Sequence, residues 1–444
     1  MTWKYVIVLI VFFSLTLICV SNLKNISKMN LKKWAILFIG LFYGFIFLVV
    51  FFATFNGKNT SENTYYIFNY EIKDYFLYAL SVSLLMLGLD IGYKIKGNYL
   101  INPKKNCFLD NSQFFWVKLF KFSTYILIIS IITYYLYAKA YGGFFGLINH
   151  TMSIRNGISD INNKWSFFQK FGSLAYISGF CLFSIFINNT IEKKLRVKSF
   201  FFWIVSLLFS LYVAYSQGGR GTLVCITLVY LMTAIFSKTN NLFIMIKKHW
   251  KKFILVPIVF LIMNMLWKRS TINDLLQTLS SGYSYLFSSF FVISNKNKYR
   301  FFVDFILMPI YFLPSSLYTK IGIKTANQFN TFLMQGGYKG EIVQGKLITG
   351  ESTTGFLAFA YMQLGFLGVF ISSIIYGYCL QQWQKRLNYM ENSTFKSMLY
   401  AYYLVYMVYF EISGGDTAAF IIVNFSYFIF FFFFGIYYKI KIKI

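Results

Sequence analysis

Runs of about 20 apolar residues recur from one end of the chain to the other, and they commit it to a membrane. A bilayer core about 30 Å thick is crossed by roughly that many helical residues. Such windows open near Trp3, Trp34, Tyr75, Leu119, Gly172, Phe200, Thr222, Phe253, Thr353, Met398 and Thr417, about eleven spans by the hydropathy rule. The runs are continuous rather than alternating with a period of two, which selects a helical bundle over a β-barrel. The expected fold class is all-α, a polytopic helical membrane protein. Composition agrees: 57% of the 444 residues are hydrophobic and mean hydropathy is +0.57, unlike a soluble domain.

A net charge of +28 would suit a nucleic-acid binder, but its placement excludes that class. Basic residues gather in every second connection: Lys24, Lys28, Lys32 and Lys33; Lys94, Lys96, Lys104 and Lys105; Lys193, Lys194, Arg196 and Lys198; Lys247, Lys248, Lys251 and Lys252; Lys385 and Arg386; and the tail Lys439, Lys441 and Lys443. This is the positive-inside pattern, so these connections are expected in the cytoplasm, with the amino terminus outside and the carboxyl terminus inside. The first span has only Lys4 before it and no small-residue cleavage site after it, so it reads as a span rather than a cleaved signal. The five cysteines, Cys19, Cys107, Cys181, Cys225 and Cys379, show neither a disulfide framework nor metal-ligand spacing. Most aromatics, 22% of the chain, read as lipid-facing or helix-packing.

The apolar pattern pauses once at length, which divides the chain into an N-terminal transmembrane bundle (1–267), a large outward loop (268–352) and C-terminal transmembrane helices (353–444). Inside the loop, YSYLFSSFFVI from Tyr283 and FFVDFILMPIYFLP from Phe301 are apolar but too short to cross, as re-entrant or interfacial helices are. Pro309 and Pro314 interrupt the second. NKNKYR lies between them, and Arg300 in that charged run is expected to face water. The loop closes with the glycine-rich GGYKGEIVQGKLITGEST.

Candidate residues lie on the outward side. Arg220 sits in SQGGRG, where glycines let backbone N–H groups approach an anion and a guanidinium suits a phosphate or pyrophosphate. Lys268 and Arg269 begin the long loop. His150 and Arg155 lie in YGGFFGLINHTMSIRNGISD. His150, Glu341 and Glu351 are alternative general bases. Asp304 lies in an apolar run, where it binds a cation or answers a lysine, and Asp416 and Glu411 are weaker candidates of the same kind. The chain has no P-loop, Rossmann fingerprint, HExxH or Gly-x-Ser-x-Gly elbow, and no acidic pair placed to hold a divalent metal.

SQGGRGTLVCITLVYL, PSSLYTKIG and GESTTGFLAFAYMQLGFLGVF, the last with Gly355, Gly365 and Gly368 along a helix, sit in a ten-odd-span chain with one large outward loop. In these stretches and this architecture the chain resembles the Wzy-type O-antigen and capsule polymerases. The resemblance implies a GT-C-like, membrane-embedded glycosyltransferase of the bacterial inner membrane, working on its periplasmic face. Its substrates would be undecaprenyl-pyrophosphate-linked oligosaccharides drawn from among the membrane lipids, with a chain-length regulator as partner and no cofactor or metal. It points to Arg220, Arg269 and Arg155 as functional; Lys268, Arg300 and Glu341 are further candidate substrate contacts from their place in the outward loop. Arg155 departs from the arginine-then-glycine spacing of some members. The alternatives are an O-antigen ligase, with lipid A core as acceptor, and a flippase for lipid-linked sugars. Transporters place charge at mid-membrane in inverted repeats, and neither is visible here.

Overall fold

The computed structural model describes residues 6, 10–13, 15–16, 30–48, 71–95, 113–158, 161, 163–217, 220–238, 285–313, 317–318 and 321–440. Among them the architecture is helical apart from one two-residue hairpin. Six helices are long and apolar enough to cross a membrane: α1 (Leu31–Leu48), α2 (Ile72–Lys94), α3 (Gln113–Lys139), α7 (Lys193–Ser216), α12 (Gly355–Tyr389) and α15 (Thr417–Tyr438, continuing to Ile440). Helix α4 (Gly143–Asn149) and α5 (Thr151–Asn156) follow α3 at its carboxyl-terminal end, the end expected outside. Windows expected at Gly172, Thr222 and Met398 coincide with helices that are shorter or interrupted. These are α6 (Leu174–Phe186), α8 (Arg220–Phe236) and α13 (Thr394–Tyr402), which runs through a π-helical stretch, Tyr403–Tyr409, into α14 (Phe410–Gly414). Most of the Trp3 window and all of the Phe253 window lie outside the described residues.

Contacts fix the order of the helix ends. Lys118, near the start of α3, donates to the Tyr438 carbonyl near the end of α15 at 3.3 Å. Asp90 joins Lys32 at the start of α1 to Lys94 at the end of α2. Gln384, late in α12, accepts from the Leu31 N–H at 2.9 Å. The basic ends of these five helices therefore share one face of the bundle, as the alternation of charged connections requires.

Small residues bring α2 and α12 together. A methyl added to Gly92 would fall 2.1 Å from the Ile374 carbonyl oxygen, and one on Gly377 2.4 Å from that of Leu89. In lipid, where apolar surface alone does not drive helices together, such backbone approach is what holds a pair. Aromatic rings fill the wider gaps. Helix α9 (Tyr285–Lys296) is buried against the other helices, its Phe287 ring 5.0 Å from Phe47 and its Phe290 ring 5.2 Å from Tyr78.

Helix α12 is not one straight span. Leu364 and Gly365 leave helical geometry, and Gly365 takes φ 59° and ψ −138°, which glycine alone adopts without strain. The chain reverses there: a methyl on Gly368 would lie 2.4 Å from the Ala360 carbonyl oxygen, eight residues away and so about 12 Å distant in a continuous helix. Residues 355–363 thus form a short helix folded back on 366–389, which alone is long enough to span. The expected continuous helix through Gly355, Gly365 and Gly368 is corrected accordingly. The reversal was hidden because Leu364 and Gly365 sit inside an apolar run.

Candidate functional site on the outward face

The long loop folds down into the bundle. After α10 (Val303–Ile306) comes a 3-10 turn, Met308–Phe312, with Pro309 in its first turn, where a missing N–H costs nothing. The Asp304 carbonyl accepts from Thr417 Oγ at 3.1 Å, at the outer end of α15. Phe312 packs 6.4 Å from Phe425 and 5.8 Å from Phe428. Eight to eleven residues of helix separate these levels, so the segment descends about 12–16 Å beside the span. It is re-entrant. Lys170, on the 3-10 turn Ser166–Ser173 before α6, reaches its tip and donates to the Leu313 carbonyl at 2.7 Å and the Tyr311 carbonyl at 3.4 Å. The ammonium thereby ties the tip of the segment to the turn before α6.

Arg300 is not a water-facing residue. Its side chain is 12% exposed, donating from Nε and Nη2 to the two Asp304 oxygens at 2.7 Å each and from Nη2 to the Lys324 carbonyl at 2.7 Å. Gln363, just before the α12 reversal, donates to Asp304 at 3.0 Å. The Arg300 and Phe301 N–H groups bond the Met362 and Gln363 carbonyls left open by the break. The pair therefore fastens the loop to the broken helix. Asp304 answers an arginine, not a lysine or a bound cation. The charged run conceals this, since Phe301 and Phe302 take φ 49° and 61° and turn the chain inward.

Asp416 is likewise committed. Its carboxylate accepts the Ala418 N–H at 2.8 Å and the Asn327 N–H at 3.0 Å, capping α15 and α11 (Ala326–Gln335) together. Glu341 accepts the Tyr338 N–H at 2.8 Å and closes its own turn, ahead of the hairpin β1 (Ile342–Val343) and β2 (Lys346–Leu347).

Two outward connections meet at Lys339. Gly157, ending α5, would place an added methyl 3.4 Å from Lys339 Cε, and one on Gly340 would lie 3.1 Å from the Gly157 carbonyl oxygen. Arg155, in the last turn of α5, and exposed Glu351, held by Gln328 at 3.3 Å, both act electrostatically on the Lys339 ammonium. Partial desolvation lowers the Lys339 pKa, Glu351 offsets part of that, and Arg155 lowers it further. Two cations within electrostatic reach of one carboxylate, with no ion pair within 4 Å joining them among the described residues, leave positive charge to which an added anion is drawn. His150 lies half-buried between α4 and α5, its ring 5.6 Å from that of Tyr141.

Of the residues expected from sequence, the structure thus gathers Arg155 and Glu351, and keeps Arg300 and Glu341 for the fold. Arg220 is the first residue of α8. Lys268 and Arg269 lie outside the described residues. Lys339 and Lys170 were passed over; the signals available were a lysine between glycines in GGYKGE and a lysine two residues before an apolar window. Among the described residues no three His, Cys, Asp or Glu side chains group as metal ligands. A cavity of 510 Å³ lined by Asn188, Lys238, Asn392 and Lys396 lies at the basic end and contains none of the candidates. No family model, curated protein or solved structure matches the chain.

Proposed function

We propose that the protein is a polysaccharide polymerase, a glycosyltransferase joining undecaprenyl-pyrophosphate-linked repeat units on the periplasmic face of the inner membrane. The observation that carries this reading is the meeting of Arg155 and Lys339 from separate outward connections beside Glu351, next to a loop that re-enters the bundle. A diphosphate ester anchored in the outer leaflet presents its charge at that level, and fixed cations answer it better than mobile water does. In the reaction the bond from the anomeric carbon to the lipid pyrophosphate breaks, and one from that carbon to an acceptor hydroxyl forms. Arg220 and Arg269 neutralise charge growing on the leaving pyrophosphate. Arg155 and Lys339 hold the diphosphate of the second lipid-linked unit. Glu351 takes the hydroxyl proton; it is freer to do so than Glu341, whose carboxylate is occupied by its own turn.

The test is the surface-polysaccharide ladder of a strain whose own copy is deleted. Lys339→Ala and Arg155→Ala, each checked for expression, should cut polymer by at least about tenfold, the scale of about 1.4 kcal/mol lost from one charge-assisted contact. A deletion strain that stops at single capped repeats supports a polymerase. Full-length polymer stranded on the lipid carrier would instead assign a ligase, and intact ladders in both alanine variants would remove the site.

A further inference from the structure

One ionisable group inside the bundle is used by none of this. Glu411 lies in α14, 6% exposed, and its Oε2 has no hydrogen-bond partner among the described residues. It stands about 4.5 Å of helix rise below Gly414, where the span ends. It follows directly on the π-helical stretch Tyr403–Tyr409, and α1 contributes a second, Gly40–Phe45, on the neighbouring helix. Short π-helical stretches cost helix stability and recur where a helix carries function.

Among the described residues the groups facing Glu411 are Tyr43 from α1, Tyr376 and Cys379 from α12, and Asp416 beyond the turn. None of them is cationic. Both tyrosine hydroxyls are spent elsewhere: Tyr43 donates to the Ile412 carbonyl at 2.5 Å and Tyr376 to the Met407 carbonyl at 2.8 Å. Tyr285 from α9 donates to the Ser413 carbonyl at 3.1 Å. Asp416 already accepts two N–H groups. A carboxylate without a counter-charge inside a membrane bundle is costly, and one whose buried Oε2 is left unbonded among the described residues points to a bound ion or proton.

The geometry points to Glu411 as a proton-binding site within the membrane: the carboxyl holds a proton while the bundle is packed as here, and releases it when water reaches Oε2. This stands independently of the glycosyl-transfer reading, because it rests on none of the outward cations. The test uses the purified protein in lipid nanodiscs, treated with a hydrophobic carbodiimide and read by peptide mass spectrometry. The reagent modifies protonated, membrane-buried carboxyls, so Glu411 should carry the adduct, with labelling fading as pH is raised from about 6 to about 10. Glu411→Gln, checked by size-exclusion profile, should lose that adduct while labelling of other acids stays unchanged. Absence of the adduct across the range, or labelling indifferent to pH, overturns the proposal. Protection by sodium at fixed pH also overturns it, since the occupant would then be a metal cation.

Discussion

At the residue scale the Arg300–Asp304 pair sets the largest single cost. Both charges are withdrawn from water, and among the described residues the Asp304 carboxylate accepts from Arg300, Gln363 and Tyr311. Arg300→Ala would leave a buried carboxylate without its counter-charge, costing about 3–5 kcal/mol. Arg300→Met with Asp304→Leu removes both charges and should recover most of that. Thermal unfolding in detergent separates the two; equal losses in both variants would mean the pair's hydrogen bonds, not its charge balance, hold the loop. Lys339 yields a pH prediction. Its pKa is lowered from 10.5 in the folded protein, so below that range the unfolded chain holds the proton more tightly and the charge slightly destabilises the fold. A bound anion reverses the sign. Affinity for inorganic pyrophosphate should therefore fall as pH rises, earlier than an ordinary lysine would dictate, and Lys339→Arg should flatten the curve because its guanidinium stays charged.

At the element scale the two re-entrant pieces depend on a few unusual positions. Gly365→Ala forces a side chain into a conformation only glycine tolerates, a strain of about 1–3 kcal/mol, and should lower the melting temperature without altering any span. Lys170→Met keeps the apolar stem but removes the donors for Leu313 and Tyr311. Losing both bonds frees the tip of the segment, and limited proteolysis should begin first near residue 313. Hydropathy made the long helices legible because length and apolarity alone define a span. It could not show that α12 folds back at Leu364, since both arms of the reversal are apolar. Nor could it show that NKNKYR points inward, since a charge run looks the same whether its last arginine is solvated or paired four residues on. The partners of Lys339 come from loops some 180 residues apart in sequence, a nearness no local pattern encodes.

At the scale of the whole molecule everything turns on which side the outward loops face. Shared helix ends place Lys32, Lys94, Lys118 and Gln384 at one end of the bundle and Lys339 with Glu351 beyond the other. Basic residues are retained on the cytoplasmic side during insertion, so the positive-inside rule predicts the Lys339 end outside. In a variant lacking the five native cysteines, a cysteine at Gly345, in the exposed turn of the hairpin, should react with a membrane-impermeant maleimide on intact spheroplasts. A cysteine at Lys194, in the first turn of α7, should react only after the membrane is opened. The opposite pattern would put Arg155, Lys339 and Glu351 in the cytoplasm, on the wrong side for a reaction on translocated lipid-linked sugars. It would leave the fold intact, because the packing of α2 on α12 and the Arg300–Asp304 fastening do not depend on which compartment lies at either end.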